Sequence, residues 1–284
     1  MATFLFDYID QLDTKWYEVD VLIEKAKKIS ESEPALYNAI CRSISVLIVA
    51  HFEGYIKDVV KNVVKDLNNS GEFKDLPEQV KRTYCTKYLG QNLDSIDKNY
   101  EAKLKKLINK FDEINCQISH EPFFYPTNKN PNPSVVQNTF AKFGLPNVFH
   151  FIHESDFDDI FSDSLSQIKD RIKNIKPELL HGLKSYPYAF DIKKYNLKKT
   201  SYDGKTLWQE FLEQINQKRH EVAHGNEFDN VEDVNPDADN LKYAFFEGNT
   251  LYVGNSDSYG NSVDGIVEFF LIVYNITALL RDYD

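Results

Sequence analysis

From Ala35 to about Leu67 the chain contains no proline and one glycine, Gly54, and it is apolar enough to form a central core helix against which other helices must pack. Its middle reads Arg42-Ser43-Ile44-Ser45-Val46-Leu47-Ile48-Val49-Ala50-His51-Phe52-Glu53-Gly54-Tyr55-Ile56-Lys57. Arg42 and Glu53 are eleven residues apart, about three turns, so they project from one face together with Val46 and Val49. A charge at each end of a buried stripe needs a partner or water. The plain reading is an ion pair inside a helical bundle, and the sharper one is a place in an active site. Gly54 reads as a point of close helix packing.

The remaining elements follow from periodicity and from breakers. Residues from about Thr3 to Ile29 predict one amphipathic helix with Phe4, Tyr8, Leu12, Trp16, Val19, Leu22 and Ile23 on one side. Pro34 suits the first turn of the core helix. Leu76 to about Tyr88 and Ile96 to Ile114 predict two more helices, the second with Lys103, Lys105, Lys106 and Lys110 on its outer face. Ser119 to Pro133, with Pro122, Pro126 and Pro131, reads as a surface loop or lid. A short helix from Pro133 to Phe143 is stopped by Gly144 and Pro146. Leu241–Phe246 and Thr250–Val253, joined across Gly248-Asn249, predict one small β-hairpin, and a very apolar helix from about Val263 to Arg281 closes the chain.

The most informative chemistry lies at Lys218-Arg219-His220-Glu221-Val222-Ala223-His224-Gly225. Upstream, Leu207, Trp208, Phe211, Leu212 and Ile215 recur at helical spacing, with Asp203 as the expected N-cap and Gly225 as the expected stop. His224 then falls in the last turn, where unpaired carbonyls favour a protonated ring. Two chemistries share these atoms. Read as H-E-x-x-H, His220 and His224 lie one turn apart and are able to grip zinc, with Glu221 as the base. A zinc site needs a third protein ligand, and no histidine follows His224; a later carboxylate such as Glu268 would have to serve.

Read as R-x-x-x-x-H, with a polar residue after the arginine and a glycine after the histidine, the stretch resembles the signature of the HEPN superfamily. The arginine-led apolar run ending in F-E-G-Y-I-K resembles the N-terminal helix of one HEPN branch, in which an acidic residue accompanies that signature. The two resemblances cover about 60 of the 284 residues. They imply a mostly α, HEPN-like helical bundle as a single domain over 1–284. Its core helices would lie at about 35–67, 203–225 and 263–282, with a helical insertion over about 70–200 and the small hairpin. They also imply a metal-independent endoribonuclease of toxin–antitoxin or antiviral systems, acting as a homodimer without a cofactor and held in check by an antitoxin protein. His224 would be the base, Arg219 the phosphate-stabilising cation, His220 an orienting or acidic group, and Glu53 the residue that positions Arg219. A non-catalytic module that holds RNA, nucleotide or protein, and an H-E-x-x-H hydrolase with His220 and His224 on zinc, are the alternatives.

Charge bears on the partner. A net charge of −11 argues against general affinity for nucleic acid. Yet from Lys169 to Lys199 nine bases stand against three acids, with Tyr186, Tyr188, Phe190 and Tyr195 among them, a pattern suited to a single strand. Lys193, Lys194, Lys198, Lys199 and Lys218 are the candidate RNA contacts; an ordinary solvated face is the bland alternative. Glu227 to Asp239 is acidic without a base, and would meet the basic stretch or a basic partner. Cys41, Cys85 and Cys116 form neither a disulfide framework nor a metal knuckle, which suggests a reduced, cytoplasmic protein. The acidic N-terminus is no signal peptide, and Ile266 to Leu280, taken as the longest apolar stretch, is too short to span a bilayer, so no membrane partner is expected.

Overall fold

The computed structural model describes residues 2–89, 99–125, 130–161, 165–189, 197 and 203–224; at several helical positions, among them Lys218, Glu221, Ala223 and His224, it describes the backbone alone. Among the described residues the fold is built from α-helices and short 3-10 turns, with no strand. The predicted hairpin at 241–253, the final helix at 263–281 and the acidic segment at 227–239 lie outside the described residues.

Helix α3, Pro34–Ser70, is the axis of the molecule. The helical run begins with Pro34 at its first turn, where a missing N–H costs nothing, and it buries fourteen residues, among them Ile44, Ile48, Phe52, Ile56, Val60 and Val64. By length and composition alone, α3 is the one helix among the described residues that would also cross a bilayer. Its apolar side chains pack on α1 (Phe4–Asp10), α2 (Leu12–Ile29) and α9 (Leu207–His224) in one core cluster, as the central helix of a bundle does.

The expected first helix is two. Helix α1, Phe4–Asp10, and helix α2, Leu12–Ile29, are separated at Gln11, so that α1 packs on α3 and also meets α8, Leu165–Gly182, while α2 runs along α3. Tyr8 meets Tyr55 at 5.6 Å and Trp16 meets His51 at 5.1 Å between ring centroids, so α1 and α2 run antiparallel to α3. One buried carboxylate fixes the start. Asp66 on α3, 2% exposed, accepts hydrogen bonds from Phe4 N at 2.8 Å, Leu5 N at 3.1 Å and the Tyr188 hydroxyl at 2.8 Å. The Thr3 hydroxyl donates to Leu183 O at 2.6 Å and accepts from Phe6 N, so the N-cap of α1 is joined to the chain just past α8.

Helices α4, Glu78–Thr86, and α5, Tyr100–Glu113, lie against one another. Phe73, Tyr84, Tyr88 and Phe111 form an aromatic cluster there, with centroids 5.3–6.3 Å apart. Asn68 ties this region to α3 through both ends of its amide, donating to Ile118 O at 2.8 Å and accepting from Ile118 N at 2.9 Å. Helix α6, Pro133–Ala141, starts at the predicted proline and is capped by Asn132. It stops at Gly144, whose φ of 99° is open to glycine, with Leu145 N donating back to Phe140 O. Helix α7, Val148–Ile152, is short and almost wholly buried.

Two elements depart further from expectation. Within the expected surface loop, the described stretch Ser119 to Tyr125 is not all surface: Phe123 and Tyr125 are buried in the core between polar turns, while residues 126–129 lie outside the described residues. Helix α8 continues through Pro177, which would ordinarily end it, despite the bond that proline cannot donate. At its end Gly182 is required sterically, since a Cβ there would lie 2.0 Å from the Ala189 carbonyl oxygen, and Ala189 N donates to Gly182 O.

Candidate functional site

Helix α9, Leu207–His224, carries the arginine–histidine motif and packs on α3, α6 and the 3-10 turn Asp158–Phe161. It starts four residues after the expected Asp203, which is exposed. Thr206 is the working cap: its Oγ1 accepts from Gln209 N at 3.3 Å, and Gln209 Oε1 accepts from Thr206 N at 2.9 Å. The reciprocal pair satisfies two end groups at once, which a lone Asp203 does not.

Trp208, Phe211, Leu212, Ile215 and Asn216 are buried on the inner stripe of α9, with Phe161 edge-on to Trp208 and Phe211. Arg219 continues that stripe. Eleven residues after Trp208, it returns to within about 20° of the same direction on an ideal helix. Accordingly it is half-buried, while His220 is exposed. Position 224 is about 140° from 219 and about 40° from 220, so Arg219 belongs to the inner register and the two histidine positions to the outer one. Among the described residues no acid or hydrogen-bond acceptor engages Arg219.

On α3, Glu53 does not meet Arg219, nor does it pair with Arg42. Its Oε1 accepts from Lys57 Nζ at 2.6 Å, both side chains being 29% exposed. The reason is reach: Lys57 stands one turn away on the same face, whereas Arg42 is three turns distant. Lys57 Nζ also sits 5.9 Å over the Tyr125 ring. The Tyr125 hydroxyl is buried without a partner, and burial, then the nearby Glu53, pushes its pKa well above the usual phenol range. Gly54 is not a packing contact; it is exposed, with open space where a Cβ would stand.

The sequence reading passed over Asn216 and Tyr125. Asn216 is visible as a lone amide on the apolar stripe one turn before Arg219; nothing local marked Tyr125 as buried. Lys193, Lys194, Lys198 and Lys199 lie outside the described residues, and Lys218 is described by its backbone on α9. Of the interleaved aromatics, Tyr188 is buried on Asp66 and Tyr186 stands edge-on to it at 5.2 Å, so these two serve the core. Among the described residues no cluster of three His, Cys, Asp or Glu side chains has the geometry to hold a metal ion. Cys41 and Cys85 are buried and Cys116 is half-buried, all three as thiols.

No curated protein and no solved structure matches this chain. A family model does, and it covers α2 through α7 and the following turn, ending before the motif of α9. That model, described as RiboL-PSP-HEPN, matches residues 12–159, more than half of the 284, and the chain belongs to this family of HEPN domains.

Proposed function

We propose that this HEPN domain is a metal-independent endoribonuclease whose reacting groups are Arg219 and His224, assisted by His220. The observation that carries the reading is Arg219 itself. A guanidinium is permanently charged, and its planar fork matches an anion with two oxygens. Arg219 stands half-buried as a residue on the inner stripe of α9, and no described residue neutralises it. A phosphodiester supplies the missing anion with the matching two-pronged geometry.

In the reaction His224 removes the proton from a ribose 2′-hydroxyl, and the oxygen attacks the adjacent phosphorus. Arg219 holds the charge that grows on the non-bridging oxygens. The bond to the 5′-oxygen breaks, that oxygen takes a proton from the His220 imidazolium, and a 2′,3′-cyclic phosphate remains. Because positions 219 and 224 diverge by about 140°, one helix does not wrap one phosphate. Two chains related by a dyad, each presenting α9 to a shared cleft, bring the arginine of one against the histidine of the other. Glu53 keeps a supporting part, fixing Lys57 beside Tyr125. Lys193, Lys194, Lys198, Lys199 and Lys218 carry the RNA backbone, so binding weakens steeply with salt. A toxin–antitoxin or antiviral role, with a neutralising partner protein, follows from the HEPN resemblance.

The test is cleavage of a defined RNA in excess EDTA by the purified chain. The reading expects 2′,3′-cyclic ends, lost in Arg219→Ala and in His224→Ala; activity that dies with chelator and returns with zinc would move the assignment to the H-E-x-x-H site. A second reading is favoured by one observation, that the family match ends at residue 159, sixty residues before Arg219. In it the domain holds RNA or a protein without cutting, and both substitutions leave binding intact.

A further inference from the structure

Asn216 lies on the inner stripe of α9, 9% exposed, one turn before Arg219. Its amide nitrogen donates to two carbonyls, Pro131 O at 3.2 Å and Leu212 O at 2.8 Å. A carbonyl cannot donate, so the nitrogen has to face both, which fixes the amide's orientation and turns Oδ1 away from them. That oxygen is buried and accepts nothing. Buried acceptors nearly always have a donor, so this one calls for an explanation.

Three residues on, Arg219 offers five N–H groups and finds no acceptor among the described residues. Side chains at i and i+3 are neighbours, with Cβ atoms about 5–6 Å apart. Helical side chains also lean toward the N-terminus, so the long chain of Arg219 runs back over the turn that holds Asn216. A buried acceptor without a donor and a cation without a described partner therefore stand on adjacent turns of one stripe.

We infer that Asn216 is the positioning residue of Arg219: as the guanidinium engages an anion, Asn216 Oδ1 accepts one of its N–H groups and turns the remaining two-pronged edge toward the phosphate. Pro131, just before α6, anchors the amide from behind, so the orientation of Arg219 is referred to α6 as well as to α3. The inference rests on the reading of Arg219 as a phosphate-binding group.

The test compares Asn216→Leu, Asn216→Asp, Arg219→Ala and the Asn216→Leu/Arg219→Ala double variant, each first checked for a native far-UV spectrum and melt. With a cleavable RNA, Asn216→Leu lowers kcat about tenfold with KM moved less than about threefold, as expected for losing one hydrogen bond to a charged group in the reacting state. In the Arg219→Ala background the same change alters residual activity by less than about twofold, since the residue acts through the arginine. Asn216→Asp keeps an acceptor for Arg219 but loses the donors that hold it against the Pro131 and Leu212 carbonyls, so its activity falls between that of Leu and the native sequence; a packing role makes Asp as poor as Leu. Losses that multiply across the pair, or an Asp variant no better than Leu, overturn the inference.

A second measurement needs no turnover. The Arg219 Nε–H signal, assigned by its absence in Arg219→Ala, is followed while inorganic phosphate or a 2′-deoxy dinucleotide is added. It becomes protected from exchange in the native sequence and stays unprotected in Asn216→Leu; equal protection in both overturns the inference. Protection in a protein that cuts no RNA refutes the ribonuclease reading while the two spectra still decide the role of Asn216. A signal that responds to neither probe overturns both.

Discussion

Removing the Asp66 carboxylate is the sharpest single test of how the fold is held. Asp66→Ala withdraws three hydrogen bonds from a residue 2% exposed. Phe4 is partly exposed, so its N–H turns to water, whereas Leu5 and Tyr188 are buried and leave two stranded donors. At about 1–3 kcal/mol for each stranded buried donor, and allowing for relief of the cost of burying a charge, the loss comes to about 3 kcal/mol. For a chain of this size that lowers Tm by roughly 6–12 °C. The pH dependence has a definite sign. Burial raises the Asp66 pKa above its ordinary value, outweighing the bonds from Tyr188, Phe4 and Leu5 that lower it. The folded state therefore holds the proton more tightly than the unfolded chain, and the native sequence loses stability as pH rises from the unfolded value of 3.8 through the folded one. Asp66→Ala has no such slope, so the gap between the two proteins widens on acidification. Urea unfolding followed at 222 nm across that pH range checks both parts. A variant melting within about 2 °C of the native chain, or a gap that closes toward acid, would refute the reasoning.

Other outcomes follow from single features. Gly182→Ala places a Cβ against the Ala189 carbonyl, forces the backbone apart, and should cost about 1–3 kcal/mol in urea unfolding; an unchanged midpoint would contradict the close approach. Thr206→Ala removes the cap of α9 and is expected to cost about 1 kcal/mol, with Thr206→Ser restoring most of it. The Cys85 thiol, buried and pushed up to about 12 mainly by desolvation, should remain unmodified by iodoacetamide in the native state, while half-buried Cys116 is alkylated first; mass mapping that finds Cys85 labelled early would be inconsistent with its burial.

Much of the helical frame is legible because the local signals and the tertiary demands agree. Pro34 and Pro133 each stand in a first turn, and Gly144 ends α6 where the sequence places it. The misses share a physical cause, since each depends on contacts distant in sequence. Gln11 breaks a continuous apolar stripe because α1 also has to meet α8. Phe123 and Tyr125 sit among prolines and polar residues that read as surface, yet they fill the core. At the candidate site, the helix under Arg219 and the inward direction of its stripe are readable from spacing. The partner of Glu53 is not: Lys57 and Arg42 both fit the face, and only reach chooses between them. Asn216 is not legible locally, since its meaning lies in Pro131, 85 residues earlier.

The latch at the start of the chain has a consequence for how the molecule is made. Thr3 is fastened to Leu183, and the amides of Phe4 and Leu5 share one carboxylate with Tyr188. Translation at about 5–20 residues per second leaves α1 waiting roughly ten to forty seconds for those partners to emerge. Until then the Asp66 carboxylate of α3 alone holds the head of α1, so the latch on the first helix synthesised is among the last to be completed.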